Sequence, residues 1–242
     1  MQPEIAQQLL ELNHQFYQTF ADDFSETRQR LQPGVIRAVA SIPPDASLLD
    51  LGCGNGLLAA YLNKHGHQGR FVGIDTSPNL IKFAEQQNLP NTTFFQADLT
   101  GTNWTDRLEQ DQFNVVVCFA VLHHIPSVPL RIRFLQQVRS LLQPDGVLIH
   151  SNWQFLNSPR LSARIQPWEQ IGLTDDQVDE HDYLMDWRRG GTGLRYVHYF
   201  SSEELHSLAS QTDFQVKYEF TSDGASGDLG LYQVWQPNPK QD

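Results

Sequence analysis

The chain has 242 residues, a length that suits one large domain with a buried core and excludes a small disulfide-stapled module. Lys and Arg number 17 against 28 Asp and Glu, a net charge of −11, so the field of the whole molecule repels nucleic acid and membrane phosphates. Any RNA partner would have to meet a local basic patch. The two cysteines, Cys53 and Cys118, lie far apart in glycine-rich and apolar contexts, which excludes a disulfide framework or zinc spacing and reads as thiols in a reducing cytoplasm.

Met1-Gln2-Pro3-Glu4 has no basic leader character, and the longest apolar run, Val115 to Leu122, is eight residues against the ~20 of a membrane helix, so no membrane partner is expected. Ile5, Leu9, Leu12, Phe16 and Phe20 recur every three or four residues and predict an opening amphipathic helix. Pro33-Gly34 starts a second, short helix through Val35, Ile36 and Val39, which Pro43-Pro44 stops.

A strand follows at Ser47–Leu51, and the pattern then alternates. Leu57–Leu62 reads as helix, Phe71–Ile74 as strand, Pro78–Gln87 as helix with proline in its first turn, and Thr92–Phe95 as strand. Val115–Phe119 is a continuous apolar run that suits a strand covered on both faces. Leu130, Phe134, Leu135, Val138, Leu141 and Leu142 mark the next helix, and Val147–His150 the next strand. Such βαβ alternation packs as a parallel sheet with helices on both faces.

After Trp153 the rhythm breaks, and residues 153–200, with Pro159, Pro167 and an acidic stretch from Asp175 to Asp182, predict an insertion with its own helices. A helix at Ser201–Gln211, capped by serine with glutamates following, leads to strands Phe214–Phe220 and Leu231–Trp235, joined by a glycine-rich loop. No repeat or interdomain linker is evident. The expected layout is one domain over 1–242: a helical cap at 1–44, a cofactor-binding core at 45–152, a substrate-side insertion at 153–200 and a closing helix and strand pair at 201–242.

The densest chemical signal is Leu49-Asp50-Leu51-Gly52-Cys53-Gly54-Asn55-Gly56, at the carboxyl end of the first strand, where open α/β sheets bind ligands. Glycines at 52, 54 and 56 allow a tight bend and close approach of a ligand to the backbone. The dinucleotide fingerprint would want its third glycine at position 57, which is Leu57, so the match to a nicotinamide enzyme fails. Asp50 would repel a pyrophosphate but suits a cationic ligand, and S-adenosylmethionine carries an ammonium and a sulfonium. Asp75, 25 residues on at the end of the next strand, is placed to accept two ribose hydroxyls, with Thr76 beside it. Ala97-Asp98 offers a third acid for the adenine amino group. Three acids at successive strand ends describe one nucleoside-shaped cleft.

With these residues in view, the chain resembles the class I S-adenosylmethionine-dependent methyltransferases over roughly residues 45–152: LDLGCGNG, VGID, QAD, FNVVVCFAVLHHI and LLQPDGVLI follow that family's motifs in order, with Asn114 where many relatives have Asp. The resemblance implies a Rossmann-like doubly wound seven-stranded sheet whose last strand is antiparallel, and a cofactor site that includes Phe119, Ala120 and Val121 beside the glycine loop. The flanks, Phe16-Tyr17, Phe24 to Arg28, Trp153 and Leu194 to Phe200, resemble the tRNA wobble-uridine carboxymethyl O-methyltransferases, including the domains fused to AlkB-type dioxygenases. That family methylates the carboxylate of a 5-carboxymethyluridine, and its eukaryotic members work with a small zinc-binding activator subunit, on which this sequence is silent. Leu184 to Trp187 and Gly227 to Trp235 follow the family's remaining motifs only loosely.

Two readings of Trp187 to Ser202 stay open. Arg188, Arg189, Arg195 and His198 stand there without an acid, interleaved with Trp187, Tyr196 and Tyr199. They form either an acceptor lid that stacks on bases and holds an anion, or an insertion whose aromatics pack on the sheet. His198 is the candidate base and Arg195 the candidate anchor for an anionic acceptor. On the resemblance, Arg28 clamps the methionine carboxylate, with Tyr17 closing the cleft. Of His123 and His124, one is expected to pack and the other to line the cleft by its backbone. Cys53 reads as a packing residue rather than a nucleophile. A methyl on sulfonium needs mainly alignment, and a carboxylate acceptor needs no base. The function expected is therefore methylation of a carboxymethylated wobble uridine in tRNA. A small-molecule O- or N-methyltransferase is the close alternative and a non-catalytic nucleoside-binding module the distant one.

Overall fold

The computed structural model describes residues 1–21, 30–108 and 112–239. Helices α1 (Pro3–Thr19) and α2 (Pro33–Val39) precede strand β1 (Leu48–Leu51). Then follow α3 (Leu57–Lys64), β2 (Phe71–Asp75), α4 (Pro78–Gln86), β3 (Thr92–Gln96), β4 (Phe113–Phe119), α5 (Val128–Leu141) and β5 (Leu142–Trp153). The predicted alternation is present throughout. β1 falls one residue short of its expected start at Ser47, whereas β4 and β5 outrun their sequence signals because pairing extends them beyond their apolar centres: β4 begins at Phe113 against Leu142, and β5 continues to Trp153 against Gly230.

Among the described residues the main sheet has seven strands, in the order β3-β2-β1-β4-β5-β10-β9, where β9 is Phe214–Ser222 and β10 is Gly230–Pro237. β1 pairs in parallel with β2 and β4, β2 with β3, and β4 with β5. β10 inserts between β5 and β9 and runs antiparallel to both, so the last strand is the reversed one. The order turns at β1/β4, the switch point where ligands of such sheets bind.

Helices cover both faces. Val116, Cys118 and Leu148 pack with Phe134, Leu135 and Val138 of α5 and with Leu205 and Leu208 of α7 (Ser202–Gln211) on one side. Leu48, Val115, Val117 and Ile149 pack with Val35 and Val39 of α2, Leu58 and Leu62 of α3 and Ile81 of α4 on the other. No helix among the described residues is long and apolar enough to cross a membrane.

The insertion differs from its expectation. Its helical content is a single short helix, α6 (Pro159–Ser162), and isolated 3-10 turns, and its body is an antiparallel sheet of β6 (Ile165–Gln166), β7 (Asp182–Trp187) and β8 (Gly193–His198). Leu184 and Tyr196 pack under Leu9 of α1, while Met185 and Val197 face Phe155 and Leu161. Two buried faces at a period of two make strands, and Gly190 and Gly191, both at positive φ, turn the hairpin. The insertion thus supports α1, which lies along β8 through the buried Leu9, Asn13 and Phe16.

Candidate active site

At the carboxyl ends of β1, β2, β3 and β4 a cavity of about 840 Å³ opens between the strand tips and α1. Its floor holds Asp50, Gly52, Cys53, Gly54, Asn55, Asp75, Thr76 and Asp98, its far wall Phe119, Ala120 and Val121, and its roof Asn13, His14 and Tyr17 of α1.

The glycine bend is built for close approach. Gly52 and Cys53 donate their N–H groups to the Ile74 carbonyl at 2.8 and 3.0 Å, which folds the loop back over β2. Gly52, Gly54 and Gly56 all have φ between 56° and 78°. A Cβ on Gly52 would strike Val121 Cγ2 at 2.3 Å, whereas one on Gly54 would meet nothing within 4 Å. The first glycine is needed by the fold and the second faces the open cavity. Ala120, just past β4, also holds a left-handed φ of 57° and is pinned by its N–H to the Ser151 carbonyl at 3.0 Å, a strained residue in the cavity wall.

Asp75 ties the loop to β2: its Oδ2 accepts the Gly54 N–H and its Oδ1 the Ser77 N–H, both at 2.9 Å. Each oxygen has a further lone pair left to accept with, the requirement for holding two vicinal hydroxyls. Burial raises the Asp75 carboxyl above its usual range, against the pull of these N–H groups. Asp50, only 4% exposed, is pushed up to about 8, by burial first and by the Asp75 charge second. A cation beside it would favour its ionised form. Asp98 is exposed and presents its carboxylate at the β3 end of the cavity, with Oδ1 accepting from the Thr100 N–H and hydroxyl at 2.9 and 2.7 Å. Cys53 is buried, its thiol pushed well up by burial and by both acids, and it packs against the strand. An acid for the cationic end, two oxygens for a ribose, an acid for an amino group and a bend without side chains fit S-adenosylmethionine.

Two predicted cofactor residues stand behind the cavity wall. Gly56 caps α3, and Ala97 donates its N–H to the Asp75 carbonyl at 3.1 Å. Arg28, the predicted carboxylate clamp, lies outside the described residues, and Arg30 lines the cavity.

The arginine and aromatic segment is where expectation and structure part. His198 is 2% exposed and away from the cavity, with Nδ1 at 2.7 Å from Asp182 Oδ1 and Nε2 at 3.0 Å from Glu204. Held on both sides by carboxylates, it does not line the cavity, contrary to its expected place as the base. Tyr196 is fully buried, its hydroxyl between Asp182 Oδ1 at 2.6 Å and Arg131 at 2.9 Å, and it stacks on no base. Arg195, 8% exposed, sits over the rings of Trp153, Phe16 and Trp187 at 5.0, 5.4 and 5.7 Å, an aromatic enclosure rather than an exposed anchor. Arg188 is exposed and pairs with Asp186 at 2.6 Å, and Tyr199 packs edge-on to Phe155. Of the predicted basic patch, Arg188 and Arg189 at the hairpin tip face solvent.

Of the two histidines, His123 is buried and His124 lines the cavity, as expected of the pair, but the His124 ring also takes part in hydrogen bonds that the motif reading did not foresee. His124 Nε2 is 2.7 Å from the Tyr17 hydroxyl, and its Nδ1 is 3.2 Å from the Tyr196 carbonyl. Asn13 was missed altogether. Its amide donates to the Tyr196 carbonyl at 3.1 Å and its Oδ1 accepts the Tyr196 N–H at 2.8 Å. The signal available was an asparagine on the apolar stripe of α1, between Leu9 and Phe16.

Comparison with known proteins decides the family. The family described as a methyltransferase domain matches residues 24–219. This chain belongs to it. As a methyltransferase it uses S-adenosylmethionine, which the cleft fits. It is 28% identical over 154 residues to mouse tRNA (carboxymethyluridine(34)-5-O)-methyltransferase ALKBH8, covering 62% of this chain and 22% of that protein. It is 32% identical over 108 residues to ubiquinone biosynthesis O-methyltransferase of Xanthomonas campestris, covering 45% of this chain and 43% of that one. The matched stretches thus span between about a fifth and somewhat under half of these relatives. In fold the methyltransferase is similar to a solved complex of DhpI with SAM and HEP, with a TM-score of 0.69 and 21% identity over 95% of this chain and 98% of that one. A SAM-dependent methyltransferase from Methanosarcina mazei gives a TM-score of 0.65 at 20% identity over 87% and 99%.

Proposed function

We propose that this methyltransferase carries the methyl group of S-adenosylmethionine to an oxygen of a small acceptor enclosed between the strand tips and α1. The observation that carries the reading is the roof: α1 is bonded to β8 through Asn13 and lines the cavity with Asn13, His14 and Tyr17. The segment expected to meet RNA turns inward instead, with Arg195 enclosed and Tyr196 buried.

When bound, the cofactor supplies a methyl already activated by its sulfonium. The protein's task is then alignment, worth roughly 7–11 kcal/mol for well-oriented reactants. Asp75 orients the ribose, Asp98 the adenine, and Asp50 the cationic end. Phe119 and Tyr17 line the same cavity and bound the space for the acceptor.

A second reading is favoured by the relatives. The mouse protein and a tRNA (carboxymethyluridine(34)-5-O)-methyltransferase of Arabidopsis thaliana, 27% identical over 151 residues, each match 62% of this chain. The acceptor in that reading is a carboxymethyl group on a wobble uridine, and the exposed Arg188 and Arg189 support it by offering cations at the hairpin tip. Transfer of radiolabel from S-adenosylmethionine to total tRNA and to a small-metabolite extract separates the two. Label in the metabolite fraction is expected, and label in tRNA alone would replace the first reading with the second.

A further inference from the structure

We infer that the acceptor oxygen is a hydroxyl and that the Tyr17–His124 pair removes its proton, an inference that rests on the small-acceptor reading. The argument is one of hydrogen-bond roles. A carbonyl oxygen only accepts, so in the neutral form of His124 the ring proton sits on Nδ1, 3.2 Å from the Tyr196 carbonyl. Nε2 then presents its lone pair to the Tyr17 hydroxyl at 2.7 Å. A base held in one tautomer by a backbone carbonyl, with its lone pair on a phenol in the cavity roof, is the arrangement general-base chemistry requires.

The orienting carbonyl is itself immobilised. It also receives the Asn13 amide at 3.1 Å, and the Tyr196 N–H is held by Asn13 Oδ1 at 2.8 Å. At the other end of the residue, the Tyr196 hydroxyl is fixed by Asp182 and Arg131, both buried. Tyr17, His124 and Asn13 all line the same cavity as Phe119 and the strand-tip acids. A carboxylate acceptor is already an anion and gives a base nothing to do, whereas a hydroxyl must lose a proton as it attacks.

The step balances as follows. The acceptor hydroxyl gives its proton to the Tyr17 oxygen while the Tyr17 proton moves to His124 Nε2. The acceptor oxygen bonds to the methyl carbon as the methyl–sulfur bond breaks and its electron pair stays on sulfur. The products are a methyl ether, S-adenosylhomocysteine and a His124 imidazolium, which returns its Nε2 proton to water. Tyr17 and His124 are catalytic residues in this account, and Asn13 is a positioning residue acting through the Tyr196 carbonyl.

The test offers labelled S-adenosylmethionine to the full chain with two probe sets: phenol, catechol and short aliphatic alcohols in one, phenylacetate and 5-carboxymethyluridine in the other. Label is expected on the hydroxyl set. Tyr17→Phe and His124→Ala should lower kcat by roughly 10²–10⁴-fold, the usual size of a general-base contribution. KM should stay within about threefold, the signature of a group used only in the transition state. Calorimetric binding of S-adenosylhomocysteine should be retained, showing an intact cleft, and added imidazole should restore part of the His124→Ala rate. Methylation of the carboxylate set with His124→Ala at the parent rate would overturn the inference and leave the small-acceptor reading standing. Hydroxyl methylation that His124→Ala does not slow, or that imidazole does not rescue, would also overturn it. Absence of label on both sets and on the metabolite extract would sink the underlying reading with it.

Discussion

Asp50 on β1 and Asp75 on β2 bring two carboxyl groups to adjacent strand tips beneath one glycine bend, and burial together with the Asp75 charge pushes the Asp50 carboxyl up to about 8. In the empty protein Asp50 therefore holds its proton at neutral pH. A cationic ligand favours the ionised form, so binding S-adenosylmethionine at pH 7 expels a proton and tightens as pH rises toward 8. Titration calorimetry in phosphate and in Tris, which differ in ionisation enthalpy, should give different apparent enthalpies. Asp50→Asn should abolish that difference and weaken binding by about 10–100-fold, the worth of a charge-assisted contact. Equal enthalpies in both buffers for the parent would contradict the assignment.

The same carboxyl sets a stability slope. Its folded pKa lies above the unfolded one, so its contribution is complete below about pH 4 and is lost as pH rises through 8. Between those limits stability falls as pH rises. Urea unfolding of the ligand-free protein at pH 5, 6 and 7 should show stability falling more steeply in the parent than in Asp50→Asn. Parallel profiles would remove Asp50 as the source.

His150 acts in the opposite direction. Buried beside Trp235, it is pushed down to about 3, so the folded state refuses a proton that the unfolded chain takes up below about pH 6.5. Stability is present above 6.5 and is lost as pH falls toward 3. His150→Leu should flatten this acid limb in thermal melts at pH 4–6, and an unchanged limb would assign it to the carboxylates.

Arg131, 1% exposed, joins α5 to Asp182 of β7 and Glu204 of α7 at 3.5 and 3.4 Å. Arg131→Met leaves two carboxylates facing His198 without their guanidinium and should cost about 3–5 kcal/mol, the usual penalty for breaking a buried pair from one side. Denaturant unfolding reads this directly, and a loss below about 1 kcal/mol would place the interaction among weak surface pairs.

Much of this architecture was legible in the chain. Leu49 to Gly56 announced the bend, Asp50, Asp75 and Asp98 announced the strand tips, and the spacing of Leu130 to Leu142 announced α5. These signals are local, each made by residues close in sequence. β7 and β8 stayed hidden because Asp182, Asp186, Arg195 and His198 break their apolar alternation. The buried charges of Asp182, Arg195 and His198 are met by Arg131, Glu204 and the rings of Phe16 and Trp153 from other segments, while Asp186 pairs with Arg164 and Arg188. His198 looked like a base for the same reason, since its carboxylate partners lie 16 residues before it and six after. The His124 ring direction is set by a single 3-10 turn and by Tyr196, 72 residues on, a relationship no motif spacing carries.

The central claim is that the acids at the tips of β1 and β2 hold S-adenosylmethionine, and calorimetric titration of the parent and Asp75→Ala tests it most directly. The parent should bind S-adenosylmethionine and S-adenosylhomocysteine but not NAD. Asp75→Ala, which removes the carboxylate proposed to hold the ribose and the ties to Gly54 and Ser77, should lose at least about 10-fold in affinity, the order expected for charged hydrogen bonds. No heat with S-adenosylmethionine alongside binding of NAD, or an Asp75→Ala affinity equal to the parent's, would contradict the account.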